Sequence, residues 1–163
     1  MKASRPAAFL FASLLLLAAN RAHARLGESP VRVEARYGPP VKFENGLCTR
    51  DFQCTYRHGG VTIVVRYLDE KSQSESYSNE NGDAIASDEI QRLLEINRRG
   101  GKWKIKEDTD SVKRWDLNSG EAMAVYQPKS GHSLEIKTVW WQHFVEQHKA
   151  ESATGASERL KDF

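Results

Sequence analysis

Alternating apolar and polar residues predict a β-meander in the first half of the chain. Residues 61–68 are rich in β-branched side chains, and every second one faces the same side of a strand. The Gly59-Gly60 doublet can take positive φ, so it predicts a hairpin turn back to a strand over residues 53–58. A turn at residues 69–71 then leads into a more polar strand over residues 73–77. The apolar face of the central strand consists of Val61, Ile63, Val65 and Tyr67.

Two short helices are predicted, each ahead of a run of strands. Ser29 is a candidate cap for a helix that starts at Pro30 and that Gly38 can end. Ser87 is a candidate cap for a second helix, with a loop expected at residues 79–83 before it. We expect this helix to run through Arg98 and Arg99 and to stop at Gly100-Gly101. Its apolar stripe is Ile90, Leu93, Leu94 and Asn97.

The second half repeats the order of helix followed by strands. Short strands are predicted at residues 103–105, 113–117, 122–127 and 133–138, with turns between the last three. A final helix is indicated by an apolar stripe at helical spacing. Residues 151–163 lack periodicity, and we expect a loose tail there. The stripe of the final helix consists of Trp140, Trp141, Phe144, Val145 and His148.

This order predicts an α+β fold in which short helices pack on an antiparallel β-meander sheet. Residues 25–150 have the length of a single domain with one hydrophobic core. The spacing of the helix starts at Ser29 and Ser87 suggests two tandem helix-plus-meander units, residues 28–78 and 87–138. Sequence identity between the two halves is too low to establish a duplication, so the tandem arrangement is a hypothesis.

The first 24 residues have the pattern of a cleavable signal peptide. A basic start is followed by an uncharged apolar run over residues 7–19, which is shorter than the roughly 20 residues of a membrane-spanning helix. Ala22 and Ala24 supply the small side chains that signal peptidase accepts. We therefore expect cleavage between Ala24 and Arg25, leaving a secreted or periplasmic protein with no stable membrane anchor.

Removal of the signal changes the charge of the chain. Three of the 24 basic residues (Lys2, Arg5 and Arg21) and none of the 22 acidic ones precede Arg25. The mature protein therefore has 21 basic against 22 acidic residues and a net charge of −1. Because its charges are also interspersed, the composition argues against nucleic acid as a partner.

Both cysteines, Cys48 and Cys54, lie in the mature chain. In an oxidising compartment an even pair at such close spacing predicts a structural disulfide bond. A redox-active pair is the alternative, but such pairs usually have two intervening residues rather than the five found here.

The first unit also resembles a known class of envelope domain. A Pro-started helix ends in residues 37–40 (YGPP), and a hydrophobic strand closes in residues 67–71 (YLDEK). This pattern resembles the small helix-plus-meander domains of bacterial envelope proteins, of the BamE (SmpA/OmlA) type or the tandem β-lactamase-inhibitor-protein fold. The resemblance covers about residues 29–77 and implies a binding or scaffolding protein without catalytic residues. The chain lacks the lipidated Cys of the lipoprotein type, which argues against a membrane tether.

Enzymatic and metal-binding patterns are weak. His143 and His148 are five residues apart, whereas two ligands on one helix face need a spacing of four; His143 and Glu146 alone would make a poor metal site. No G-x-S-x-G motif occurs, and the acid pairs Asp108/Asp110 and Asp69/Glu70 fall in predicted loops. We therefore expect neither a catalytic site, nor a metal site, nor a cofactor.

The adjacent tryptophans Trp140 and Trp141 are the candidate interface. They mark the junction of the last strand and last helix, and neighbouring side chains cannot both enter the core from one strand. Exposed Trp is enriched at interfaces, although burial of both side chains is the alternative. We expect a non-enzymatic domain that binds another envelope or extracellular protein. The rival hypothesis is a small-ligand- or metal-binding protein, or a minor hydrolase, with a pocket between the sheet and the C-terminal helix.

Overall fold

The computed structural model describes residues 25–46 and 50–159, without the side chains of residues 152–159. The protein has an α+β fold with three helices and eight strands in these ranges. The first helix precedes four strands: α1 Pro30–Tyr37, β1 Lys42–Asn45, β2 Asp51–His58, β3 Val61–Leu68 and β4 Lys71–Asn79. The second helix precedes four more, and a third helix ends the fold: α2 Ser87–Ile96, β5 Trp103–Asp108, β6 Lys113–Leu117, β7 Ala122–Gln127, β8 Ser133–Thr138 and α3 Val139–Arg159.

All eight strands form one antiparallel sheet in the order β1-β2-β3-β4-β8-β7-β6-β5. The strands of each half are neighbours in chain order, and the two halves meet where β4 pairs with β8. In this seam Ser74 lies opposite Lys137, and Glu75 lies opposite Ile136. The seam leaves β1 and β5 as the two outer strands of the sheet.

The two faces of the sheet have different roles. The alternate residues that include Val65, Leu134 and Ile136 point to one face, where they form the hydrophobic core with buried residues of α1 and α2. Val33 and Tyr37 of α1 and three residues of α2 are the helical contribution: Ile90, Leu93 and Leu94. The opposite face of the sheet carries α3.

The expected turn chemistry is confirmed at two hairpins. Gly59 and Gly60 both have positive φ (59° and 81°), and they join β2 to β3 as predicted. Asp69 and Glu70 also have positive φ (48° and 59°) in the turn from β3 to β4. The left-handed conformation strains residues other than glycine, and the pairing of Leu68 with Lys71 on either side of the turn holds these two residues in it.

The helix caps differ from the prediction. Ser29 occupies the cap position of α1, but its side chain makes no capping hydrogen bond. The cap position of α2 is Ala86, so Ser87 is the first helical residue rather than the cap. The helix ends at Ile96, before Arg98 and Arg99, because the buried side chain of Asn97 hydrogen-bonds locally. The Asn97 amide donates to the carbonyl oxygen of Leu93 (3.2 Å).

Four strands were incompletely predicted. Strand β2 begins at Asp51 rather than at residue 53, and β4 spans Lys71–Asn79 rather than residues 73–77. Strand β1 was not predicted, because three of its four side chains are exposed and leave no alternating pattern. Strand β5 continues beyond residue 105 to Asp108, with a bulge between Ile105 and Glu107. An outer strand has one partner and little burial, so hydropathy alone indicates it poorly.

Helix α3 extends to Arg159, past residue 151, where we expected a loose tail. Hydrophobic periodicity indicates the burial of one face, whereas a helix that has already formed can continue through any residues that tolerate helix. The absence of periodicity was therefore the wrong criterion for the end of this helix.

The segment that follows the expected cleavage point is held by hydrogen bonds. The hydroxyl group of Ser72 on β4 donates to the Arg25 carbonyl oxygen (2.9 Å), and Gly27 N–H donates to the Ser72 carbonyl oxygen (2.7 Å). Leu26 N–H donates to the side-chain oxygen of Asn97 (3.1 Å), and the Leu26 side chain is buried. These bonds connect residues 25–27 to Ser72 of β4 and to Asn97 at the end of α2.

A buried carboxyl group lies in the seam. Glu75 of β4 is fully buried, and its Oε2 accepts a hydrogen bond from the Tyr77 hydroxyl (2.6 Å). Its Oε1 accepts no hydrogen bond of normal geometry from the described residues. Burial raises the pKa of Glu75 to about 7, although Tyr77, Arg36 and Asn97 each oppose this by stabilising the charged form.

This buried acid predicts a pH dependence of stability. In the unfolded chain Glu75 loses its proton near pH 4.5, whereas the folded protein holds the proton to about pH 7. Between these values the folded state binds more protons, so a rise in pH favours unfolding, by on the order of 3 kcal/mol across the window. We expect Glu75→Gln to flatten the fall of unfolding free energy over this range, measured by urea denaturation. The exposed Glu121→Gln is the control, and an equal slope in both variants would contradict the prediction.

Cys54 is buried in the core-facing side of β2, opposite Phe43 of β1. Burial raises the pKa of its thiol, so a reduced Cys54 would be poorly reactive. Cys48 lies outside the described residues, and the disulfide bond between the two remains a prediction.

If the Cys48–Cys54 bond forms, it closes a short loop and stabilises the protein by about 2 kcal/mol. Dithiothreitol should then lower the unfolding free energy of the exported protein by about this amount and leave that of Cys48→Ser unchanged. A wild-type protein whose denaturation midpoint does not respond to dithiothreitol would show that the two sulfurs are not bonded.

Candidate binding surface around α3

Helix α3 is fixed to the polar face of the sheet through its first turn. The Thr138 hydroxyl accepts a hydrogen bond from Trp141 N–H (3.0 Å), which is the geometry of a helix cap, and donates to the side-chain oxygen of Gln73 (3.0 Å). The Trp141 side chain is only 2% exposed, yet it is not part of the main core cluster. Trp141 therefore anchors α3 to the sheet face that lies opposite the core.

The neighbouring tryptophan is exposed. Trp140 is 53% accessible, and its ring stacks on Phe144 at a centroid distance of 5.3 Å. Phe144 also contacts the ring of His148 (4.1 Å), whose Nδ1–H donates to the Phe144 carbonyl oxygen. Trp140, Phe144 and His148 form an aromatic stripe at a spacing of four residues along α3, and their mutual contacts restrict the exposed Trp140 ring.

Two grooves flank α3. The β8 groove, about 430 Å³, lies between the helix and strands β3, β4, β7 and β8. The β1 groove, about 450 Å³, lies between the helix and strands β1 to β3. Both are open to solvent and contain polar side chains, unlike the close-packed interior on the opposite face. The grooves share the residues Arg66, Trp141, Val145 and Lys149.

A hydrogen-bonded set forms the floor of the β8 groove. Glu135 of β8 accepts from the Ser74 hydroxyl (2.9 Å) and from the Lys137 ammonium group (2.8 Å). Both Ser74 and Lys137 are largely shielded from solvent, so this pairing is stronger than a surface ion pair. The Ser74 hydroxyl is buried and does not line the groove, which leaves it poorly placed to attack a substrate.

In the β1 groove, polar side chains on three adjacent strands form a chain. Glu44, Gln53 and Arg66 lie directly opposite one another across β1, β2 and β3. The Gln53 amide donates to Glu44 (2.8 Å), and Arg66 Nε–H donates to the Gln53 side-chain oxygen (3.0 Å). A hydrogen bond from Lys42 lowers the pKa of Glu44, and Gln53 and Arg66 contribute in the same direction.

The other candidates from the sequence do not come together. His143 lies 3.8 Å from Glu146 on the exposed side of α3, whereas His148 belongs to the aromatic stripe. Asp108 pairs with Lys113 (3.0 Å), and Asp110 lies 3.8 Å from Lys129, so these two acids have separate partners. Among the described side chains, no group of three or more His, Cys, Asp or Glu is placed to hold a metal ion.

Sequence reasoning missed the part of this surface contributed by the sheet. It identified Trp140 and Trp141, but not Arg66, Lys137 or Lys149. The alternation in β3 places Arg66 opposite the apolar face, which was readable from the sequence. The position of α3 over that polar face was not readable, because it follows from the pairing of β4 with β8.

Comparisons with known proteins give no family. No family model matches the chain. No curated protein matches it either. Among solved structures, the chain is similar to a cysteine-rich secretory protein of Staphylococcus aureus subsp. aureus Mu50, with 10% sequence identity and a TM-score of 0.44. The match covers 71% of this chain and 45% of that protein, and at this score it carries no argument about function. None of the helices in the described ranges has the length and apolar character needed to cross a membrane.

The different burial of the two tryptophans predicts unequal losses of stability on substitution. Trp141→Ala removes the anchor of α3 and should lower the unfolding free energy by about 3 kcal/mol. Trp140→Ala should change it by less than about 1 kcal/mol, because the side chain is half exposed. Denaturation followed by circular dichroism measures both values, and equal losses in the two variants would contradict the assignment of Trp141 as the anchor.

Proposed function

We propose that the chain is an exported, non-enzymatic domain that binds another protein of the bacterial envelope through α3 and the polar sheet face. The observation that carries the proposal is the exposed Trp140, held by stacking on Phe144 and lining a further open groove with Gln73, Arg99 and His143 at the start of α3. Protein interfaces commonly combine a rigid aromatic anchor with a polar rim, and Trp is among the residues most enriched at their centres. The stacked ring loses little side-chain freedom on binding, which favours association.

Export is part of the proposal. The signal-peptide pattern of residues 1–24 supports cleavage at Ala24 and Arg25 and a periplasmic or secreted location. The hydrogen bonds of Arg25 and Gly27 to Ser72 are compatible with a mature chain that starts at Arg25. A disulfide bond between Cys48 and Cys54 belongs to the same proposal, because it requires an oxidising compartment.

The fold is proposed to consist of two tandem helix-plus-meander units. The order of elements supports this, because α1 precedes β1 to β4 and α2 precedes β5 to β8. The pairing of the last strands, β4 and β8, is the contact expected between two such units arranged about a twofold axis. The resemblance of residues 29–77 to the tandem β-lactamase-inhibitor-protein fold, based on the YGPP and YLDEK segments, implies a role in protein binding.

A small-ligand-binding protein is the second candidate. It is favoured by the two grooves between the sheet and α3, whose volumes of about 430 and 450 Å³ lie within the usual range for ligand sites. Their lining is more polar than that of most such sites, and they are open to solvent, which is why we place protein binding first.

Capture by crosslinking tests the proposal. Purified residues 25–163 should form a specific crosslinked adduct with a protein in an envelope extract of the source bacterium, and Trp140→Ala should reduce its yield by about tenfold or more. Ile105→Ala is the matched control, because Ile105 is 55% exposed on the outer strand β5.

No adduct, or an adduct whose yield does not depend on Trp140, would contradict the proposal. Equal losses in Trp140→Ala and Ile105→Ala would indicate non-specific apolar adhesion instead. A thermal shift of the unmodified protein with a small molecule, without any protein adduct, would favour the second candidate.

A further inference from the structure

We propose that Arg66 and Lys149 form a site for the carboxylate side chains of an acidic peptide segment, which runs across the polar sheet face beside α3. This inference rests on the proposed function and specifies the chemistry of the partner. It comes from the charge balance of the two grooves.

Arg66 and Lys149 lie where the two grooves meet. Arg66 belongs to β3 and Lys149 to α3, and each lines both the β8 groove and the β1 groove. Trp141 and Val145 also line both grooves and supply the apolar part of the junction. One cation therefore comes from the sheet and the other from the helix that covers it.

The acidic residues of the grooves already have partners. Glu135 is bound by Lys137 and Ser74, and Glu44 lies 2.9 Å from Lys42 and accepts from Gln53. Glu146 accepts a hydrogen bond from the Gln142 side chain. Asp51, which lines the β1 groove, is buried and has its own interactions. Among the described residues, therefore, no acidic side chain of the two grooves is paired directly with Arg66 or Lys149.

Neither cation has an ion pair among the described residues. The Nε–H of the Arg66 guanidinium donates to the side-chain oxygen of Gln53, and the Gln53 amide in turn donates to Glu44. This contact orients the group and leaves its two terminal nitrogens able to donate to a carboxylate as a fork. Lys149 supplies a second positive charge, and two cations at one junction attract anions more strongly than either one alone.

The shape of the site favours a peptide over a free anion. The two grooves share the junction residues, and together they are lined by residues of β1, β2, β3, β4, β7 and β8, an extent that suits an extended chain. The β8 groove is lined with side chains that can bond to a peptide backbone: Ser76, Gln127, Ser133 and Gln142. A small anion would contact the junction alone and leave these groups unused.

Fluorescence anisotropy with residues 25–163 tests the site. The probe is a fluorescein-labelled peptide of alternating glutamate and serine, and the matched peptide has glutamine in place of glutamate. We expect saturable binding of the acidic peptide only. Arg66→Gln should weaken it by about tenfold or more, since a hydrogen bond to a charged group is worth roughly 1.5–3 kcal/mol. Arg66→Lys should restore part of the loss, because it keeps the charge but lacks the fork.

Lys149→Gln should weaken binding by about two- to fivefold, as expected for an exposed charge. Arg92→Gln is the control variant, because it removes one positive charge from α2, on the opposite side of the sheet. It should change the affinity by less than about twofold. Circular dichroism melting curves check that all variants are folded.

Several results would overturn the inference. These are equal binding of both peptides, equal losses in Arg66→Gln and Arg92→Gln, or full competition by inorganic phosphate or acetate at the same concentration of charge. The last result would identify a site for small anions and not for peptides.

If the peptide fails to bind but Trp140-dependent capture persists, the proposed function stands without this site. If the peptide binds through Arg66 but no envelope protein is captured, the site stands and the proposed function fails.

Discussion

The pairing of β4 with β8 is the constraint on which the rest of the structure depends. Strand β4 is the last of the first four strands, and β8 is the last of the second four. Their pairing joins the two groups into one eight-stranded sheet whose outer strands are β1 and β5. Both α1 and α2 then cover the same face, and their apolar residues share a single core. The opposite face is left to polar residues and to α3. The division between a structural face and a face available for binding therefore follows from this seam.

The seam also contains the most costly group in the core. Glu75 faces α1 and α2 from β4, beside Tyr77, where an apolar residue would fit the pattern of its neighbours on β8. Its raised pKa shows that the protein environment disfavours the charge, even with Arg36 and Asn97 nearby. A buried polar group of this kind can favour one strand register over a shifted one, because a shift of β4 would move the carboxyl group away from Arg36 and Asn97. On the opposite face of the sheet, the charged side chains are paired with one another or exposed to solvent. Binding there therefore does not disturb the core.

Much of the fold can be predicted from the sequence, because burial of one face of a strand places an apolar residue at every second position. Strands β3, β6, β7 and β8 show this, and their bounds match the prediction. Strand β1 is largely exposed and leaves no such period. The binding surface around α3 can be predicted from the sequence only in part. The adjacent tryptophans indicate that one of the two can face outward without identifying Trp140, whereas Arg66 and Lys149 are far apart in sequence and meet through long-range packing. The local sequence pattern does not predict that contact. It also did not predict that the cap positions of α2 are Ala86 and Asn97.

The most direct test of the account is to map binding onto the two faces by amide chemical shifts. A titration of isotope-labelled residues 25–163 with the glutamate–serine peptide should perturb amides of β3, β4, β8 and α3, with Arg66, Lys137 and Lys149 among them. Amides of α1 and α2 should stay unchanged, because they cover the opposite face of the sheet. Perturbations centred on α1 and α2, or along the outer strand β5, would contradict the assignment of the polar face as the binding surface.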